Sequence, residues 1–325
     1  MTETFERATN FVRYAWFVTA YLIGVILWGA VVRATGSGAG CGNHWPACNG
    51  EIIPRAESIE TLIEFSHRLT SAFSGILIIF LVIWAFRLQP VRKFVRRMAL
   101  LSLVFVIIEG GIGAALVRLE LVEDNASTLR AVAIALHLVN TLILLAWTGL
   151  TAWGAAQNRP LRLQANPRII LLVVLGSLGF AVMSAAGAVT ALGDTLFLSG
   201  AIGTEPDGTQ HFLISLRAWH PILAVGVSAY LFAMGYWLQR QYNAPRIEGQ
   251  ITALYLLVAL QIGVGILNIF LQAPVWMQVT HLLIADVMWL LLIVLSSNVL
   301  ITQSSETKAK RSELQEPQTA VATGD

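Results

Sequence analysis

Uncharged stretches long enough to cross a bilayer recur along the whole chain, and no other feature of the sequence restricts the fold as much. An α-helix rises about 1.5 Å per residue, so about 20 apolar residues cross a hydrocarbon core of about 30 Å. Residues 14–32, 69–86, 131–158, 169–193 and 218–239 hold no Asp, Glu, Lys or Arg, and 98–117 holds only Glu109. The uncharged stretch 249–285 is too long for one crossing. Its expected break is Gln272-Ala273-Pro274, because a proline inside a helix loses a hydrogen bond and clashes with the preceding turn. A seventh span is then expected near 251–271 and an eighth near 277–301. Charged residues are 12 % of the chain, half the roughly 25 % of a soluble domain. That excludes a soluble enzyme, a disordered chain and a disulfide-rich secreted domain. A net charge of +2 is too small to point to nucleic acid, and the expected surroundings are a lipid bilayer. The expected fold class is an all-α integral membrane protein with eight transmembrane helices.

Orientation follows from the basic residues. The N-terminus, the loops 87–97, 159–168 and 240–248, and the C-terminal segment carry fifteen of the 21 Lys and Arg. The opposite side keeps Arg33, Arg55, Arg68, Arg118, Arg130 and Arg217. Both termini are expected to be cytoplasmic, in a multi-pass protein of the cell membrane. The first apolar segment is long enough to remain as a span rather than be cleaved as a signal peptide. The polar segment 303–325 is expected to be a disordered cytoplasmic tail.

The two halves resemble each other. Glu64-Phe-Ser-His67-Arg68 opens the second span, and Arg217-Ala-Trp-His220-Pro221 opens the sixth. Glu109-Gly-Gly-Ile-Gly113 in the third span answers Gln261-Ile-Gly-Val-Gly265 in the seventh, and His137 in the fourth answers His281 in the eighth. The reading is of two pseudo-symmetric four-helix bundles in the same orientation, 1–158 and 159–302.

His67, His137, His220 and His281 each fall within about two turns of the start of their spans, and those spans run in one direction. All four imidazoles are therefore expected at one depth. The repeat pairs His67 with His137 and His220 with His281, and two opposed imidazoles inside a four-helix bundle suit haem iron. The glycine pairs Gly111/Gly113 and Gly263/Gly265 would allow a flat macrocycle or a neighbouring helix to approach closely; ordinary small-residue packing explains them equally. Arg33, Arg118, Arg130 and Arg217 are candidates for porphyrin propionates or for interfacial anchors. Two haems at one depth do not carry electrons across a membrane, which favours chemistry near one face.

The repeat keeps its histidines and changes their neighbours. Glu64 lies one turn before His67, on the same helix face, whereas Arg217 occupies the matching place before His220. A carboxylate at a haem edge can move protons or stabilise developing positive charge; an arginine there can only hold anions. The N-terminal half is thus expected to hold the reacting group and the C-terminal half a permanent haem. Glu109 and Asp286 are further acids in apolar surroundings, as relays or as hydrogen-bonded groups of the bundle. The loop 35–50 carries Cys41 and Cys48. On an oxidising side they can form a bridge; metal binding together with His44 is the alternative, although it offers too few ligands for a closed zinc site.

The run Thr35-Gly-Ser-Gly-Ala-Gly-Cys41-Gly-Asn-His-Trp-Pro-Ala-Cys48, then Glu64-Phe-Ser-His67-Arg68, then His137, His220 and His281, resembles the heme A synthase family. The resemblance covers about 11–301 and excludes the tail. It implies a membrane oxidoreductase that converts the C8 methyl of heme O to a formyl group, giving heme A for terminal oxidases. It further implies Glu64 as the catalytic acid, His67 and His137 flanking the substrate haem, and His220 and His281 ligating a cofactor heme b. Cys41 and Cys48 would form the external disulfide. Heme O synthase and oxidase-assembly proteins would be partners, and a homo-oligomer is compatible with the lipid-like composition of the surface. Some members carry a second Cys pair between spans five and six; 192–212 has none, so a relay needing both cannot operate. The alternative function is a di-haem electron-transfer or quinol-oxidising subunit.

Overall fold

The computed structural model describes residues 2–55, 58–88, 92–157, 166–204, 209–242 and 244–313, with side chains from 8 to 300. Most of the 159–168 linker and the tail beyond 313 lie outside the described residues. The described chain is helical, with two isolated bridges in its loops and no strand. Its long helices are α1 (Thr2–Ala34), α2 (Ile59–Arg87), α3 (Lys93–Arg118), α4 (Thr128–Ala156), α5 (Pro167–Leu198), α7 (Trp219–Gln241), α8 (Pro245–Phe270) and α9 (Val275–Glu313), with a one-turn α6 (Phe212–Leu216) before α7. Eight helical segments are long and apolar enough to cross a membrane, α6 and α7 together making the sixth.

Local chemistry explains where these helices begin and end. The Ser58 hydroxyl accepts from Thr61 N and caps α2, and Ser127 caps α4 through Arg130 N. Asn166 caps α5, whose first residue is Pro167. Between α8 and α9, Gln272 (φ 58°) and Ala273 (φ 54°) both adopt the left-handed conformation and Pro274 follows, so the chain turns at the expected break. Two starts differ from the apolar pattern. Helix α2 begins at Ile59, ten residues before the uncharged stretch, so Glu60, Glu64 and Arg68 are helical. The sixth span is offset at Arg217-Ala218, with the His211 ring accepting from Leu213 N at the start of α6. Helix α9 continues to Glu313, into the segment read as a tail.

The seam of the molecule is formed by α1 and α4 against α5 and α9. Helices in lipid associate through close packing and hydrogen bonds rather than hydrophobic burial. Here Phe180 of α5 stacks on Trp289 of α9 with centroids 5.3 Å apart. The Trp289 Nε1–H donates to Leu142 O of α4 at 2.6 Å, and Trp153 Nε1 donates to Asn298 Oδ1 at 3.1 Å. Apolar residues away from the cavity described below, such as Ile76 and Leu256, are 61 % and 67 % exposed, the inverse of a soluble protein and what a lipid-facing surface requires.

Candidate haem-binding cavity

One cavity of about 1710 Å³ lies along the seam and reaches into both halves. It exceeds the roughly 300–1,000 Å³ of an ordinary small-molecule site. His67, His137, His220 and His281 all line it, with Glu64, Glu109, Asp194, Asp286, Arg33, Arg68, Arg130 and Arg217. The four histidines do not converge: among the described residues no three His, Cys, Asp or Glu side chains could share one metal ion. They stand as pairs. The rings of His220 and His281 have centroids 6.2 Å apart at an interplanar angle of 82°. With metal–imidazole bonds of about 2 Å, that gap has room for a single metal atom.

Three rings sit in backbone notches that only glycine leaves open. A Cβ at Gly29 would stand 2.9 Å from His67 Cε1, one at Gly187 2.9 Å from His220 Cε1, and one at Gly265 3.2 Å from His281 Cε1. Of the glycines singled out in the sequence, Gly265 has this role, whereas Gly111, Gly113 and Gly263 meet nothing within 4 Å. Gly29 and Gly187 carry no local signal; their meaning depends on a ring from another helix.

The ring nitrogens show which lone pairs are available. His220 Nδ1 lies 3.1 Å from Met183 O; a carbonyl only accepts, so Nδ1 carries the proton and Nε2 the lone pair. The buried Nδ1 atoms of His67 and His281 have no hydrogen-bond partner among the described residues. His137 Nδ1 lies 3.2 Å from Glu109 Oε1. Glu109 is fixed by Thr141 Oγ1 at 2.5 Å and by the Asn140 amide, so this acid is hydrogen-bonded inside the first half. At the matching place Gln261 Nε2 donates to His281 O at 3.1 Å and lies 3.1 Å from His281 Nε2. Asp286 is fully buried, with neither oxygen hydrogen-bonded among the described residues.

Glu64 and Arg217 differ as the repeat suggests, and in backbone as well. Glu64 is 3 % exposed inside α2. Its Oε2 accepts from Cys41 N at 2.8 Å and its Oε1 from Arg68 Nη2 at 2.5 Å and Nε at 3.0 Å. Arg217 sits in the break before α7 and pairs with Asp194 Oδ1 at 2.6 Å. Sequence reading missed Asp194, which lies at the end of an uncharged span and 23 residues from Arg217. Cys41 and Cys48 are disulfide-bonded and buried, so the metal alternative with His44 does not hold.

The family model of the cytochrome oxidase assembly protein COX15-CtaA matches residues 12–293. The chain belongs to the COX15-CtaA family. It is a multi-pass membrane protein. It is 44 % identical over 315 residues to a Thermus thermophilus protein named protoheme IX farnesyltransferase, covering 96 % of this chain and 51 % of that protein. The chain thus spans about half the length of that relative. It is 29 % identical over 324 residues to a Bacillus cereus heme A synthase, covering 95 % of this chain and 99 % of that one. An Exiguobacterium heme A synthase is 29 % identical over 252 residues, 78 % of this chain and 81 % of its own length.

Proposed function

We propose that this chain is a heme A synthase, oxidising the C8 methyl of heme O to a formyl group. The observation that carries the reading is that Glu64 and His67, one turn apart on α2, open on the same cavity as the His137, His220 and His281 rings. In this reading His67 and His137 flank the substrate porphyrin, and His220 and His281 hold a resident heme b. The notches at Gly187 and Gly265 and the 6.2 Å gap between the His220 and His281 rings fit a haem in the second half. Haem bound there would supply redox chemistry.

The chain's own residues do the rest. His220 presents Nε2 because Met183 O holds its other nitrogen; Gln261 has to yield His281 Nε2. Glu64, held on both oxygens by Cys41 N–H and Arg68, presents an oriented carboxyl group at the cavity wall, where positive charge develops as hydride or electrons leave a methyl carbon. Among the described residues, Arg33 and Arg130 are the cavity arginines with no carboxylate at ion-pair distance. Arg33 donates to Ala191 O at 2.7 Å, Thr195 Oγ1 at 2.8 Å and Gln278 Oε1 at 2.7 Å. Arg130 is buried and donates to Glu123 O and Asn125 O at 2.5 and 2.7 Å, leaving Nε without a partner among the described residues. Their hydrogen bonds go to neutral acceptors, with Asp194 acting on Arg33 and Asp124 on Arg130 only through space, and porphyrin propionates would complete both. Arg217 is already paired with Asp194, and Arg118, which does not line the cavity, donates to Trp45 O.

Farnesyl transfer, the activity in the Thermus relative's name, is not the reading adopted. This chain covers 51 % of that relative but 99 % of the Bacillus cereus heme A synthase. A di-haem electron-transfer subunit would use both histidine pairs but leaves Glu64 without a task. The test is co-expression with a source of heme O and mass spectrometry of extracted pigments. The expected product is formyl haem. Glu64→Ala should retain bound haem and lose heme A by about 100-fold or more, in the range of a removed electrostatic stabiliser. Wild-type protein that makes no formyl haem sinks the enzyme reading, and Glu64→Ala that makes normal amounts removes Glu64 from it.

A further inference from the structure

We propose that the Cys41–Cys48 loop is a redox-sensitive latch that positions Glu64. The proposal rests on the reading of Glu64 as the reacting carboxylate, but its geometry stands independently. The bridge closes a loop whose residues grip α2 at several points. Cys41 N–H donates to Glu64 Oε2 at 2.8 Å. Arg68, one turn beyond Glu64, donates to Glu64 Oε1 and also reaches back to the loop, giving Nη1 to His44 O at 2.6 Å and Ala47 O at 2.7 Å. Thr61 Oγ1 donates to Gly40 O at 2.7 Å. A Cβ at Gly40 would stand 2.4 Å from the Glu60 carbonyl carbon, so the loop backbone lies directly on the first turn of α2.

The consequence is that both Glu64 contacts are tied to the loop, one directly and the other through an α2 side chain. One is the amide of a bridged cysteine. The other comes from an arginine whose remaining donors are spent on carbonyls between the two cysteines. His44 and Ala47 lie inside the bridged segment, and Asn49 N donates to Cys41 O at 3.1 Å, drawing its ends together. The bridge fixes the distance across which Arg68 can hold both carbonyls and Glu64 at once. Arg68 is therefore a positioning residue, and the fork of the guanidinium is required; a lysine keeps the charge but cannot span three acceptors.

Opening the latch is a balanced exchange. A dithiol supplies two electrons and two protons and leaves as its own disulfide, while Cys41 and Cys48 become thiols. The freed loop no longer holds Cys41 N–H and the two carbonyls in register, and Glu64 loses its fixed partners. The oxidation state of the bridge then sets whether the carboxylate is held at the cavity wall.

The experiment uses the full chain in detergent and needs no turnover. Infrared spectra are recorded for the bridged protein, for protein reduced with dithiothreitol, and for the Cys41→Ser/Cys48→Ser double variant, which opens the loop even if the buried bridge resists the reagent. Each is compared with its Glu64→Gln counterpart, so that only the Glu64 carboxylate band remains. The expected result is a shift of that band on loss of the bridge and the same shift in Arg68→Lys. Amide exchange at position 41 should rise by roughly 10-fold or more, as for the loss of a charge-assisted hydrogen bond. A Glu64 band and a position-41 exchange rate that are the same with and without the bridge overturn the proposal, as does an Arg68→Lys protein indistinguishable from wild type. Since nothing is read from activity, failure of the heme A reading would appear separately, in the pigment assay.

Discussion

At the scale of single residues, the site depends on atoms that are missing as much as on atoms that are present. Gly187 is the clearest case. A side chain there would press on His220 Cε1 at 2.9 Å and Nδ1 at 3.1 Å and break the bond to Met183 O that leaves Nε2 free. Gly187→Val is expected to abolish the cofactor-haem absorbance while circular dichroism stays helical. Gly24→Val, where nothing lies within 4 Å, should keep that absorbance. Loss of the band in both, or in neither, contradicts the notch. The arginines make a second prediction. Metal-free protoporphyrin binding, followed by fluorescence, should favour the free diacid over its dimethyl ester. Arg33→Gln or Arg130→Gln should each weaken diacid binding by about 10- to 100-fold, the equivalent of a charge-assisted hydrogen bond of about 1.5–3 kcal/mol. Ester binding should hardly change. Equal losses for both ligands would mean that these arginines serve the fold and not the carboxylates. The histidines and Glu64 were legible in the sequence because charge is scarce there, so each ionisable residue stands out. Gly29, Gly187 and Asp194 were not, because a notch or an ion pair is a relation between helices, and no local pattern carries it.

At the scale of elements, the eight spans were legible because the length of an uncharged run is itself the physical requirement for crossing a bilayer. The turn between α8 and α9 was legible for a similar reason, since proline states its constraint locally. What the apolar pattern hid was the start of α2. Glu60, Glu64 and Arg68 interrupt hydrophobicity without interrupting the helix, because Ser58 caps it and Arg68 pairs with Glu64 one turn away. That early start carries Glu64 and Thr61 to the Cys loop. Removing the cap should therefore be felt at the site. Ser58→Ala is expected to cost about 1 kcal/mol of local helix stability. Amide exchange at 59–62 should quicken by roughly 5-fold, with a smaller fall in heme A yield and no change at α7 or α9. Unchanged exchange in that turn would show that the loop contacts alone hold the start of α2.

At the scale of the whole molecule, the seam of α1 and α4 with α5 and α9 makes a single cavity out of two histidine pairs. Arg33 illustrates the join, since it belongs to α1 and is held by α5 and α9. The four histidines and Glu64 are thus gathered at one end of the bundle, the end with the bridged loop, and the charge map predicts which side of the membrane that end faces. Fifteen of the 21 Lys and Arg fall in the N-terminal segment, the connections 87–97, 159–168 and 240–248, and the C-terminal segment. Basic residues flanking spans are retained on the cytoplasmic side, so the Cys loop should face outward, where a disulfide persists. The chain has two cysteines, both in that loop, so a cysteine introduced at Ser304 of a Cys41→Ser/Cys48→Ser background reports the C-terminal side alone. In intact cells an impermeant maleimide should label the reduced native loop and leave the introduced cysteine untouched until the membrane is permeabilised. Labelling of the Ser304 position in intact cells, or of the loop only after permeabilisation, would invert the molecule. It would also place the bridge, and the chemistry beside it, in a reducing compartment where the bridge does not persist.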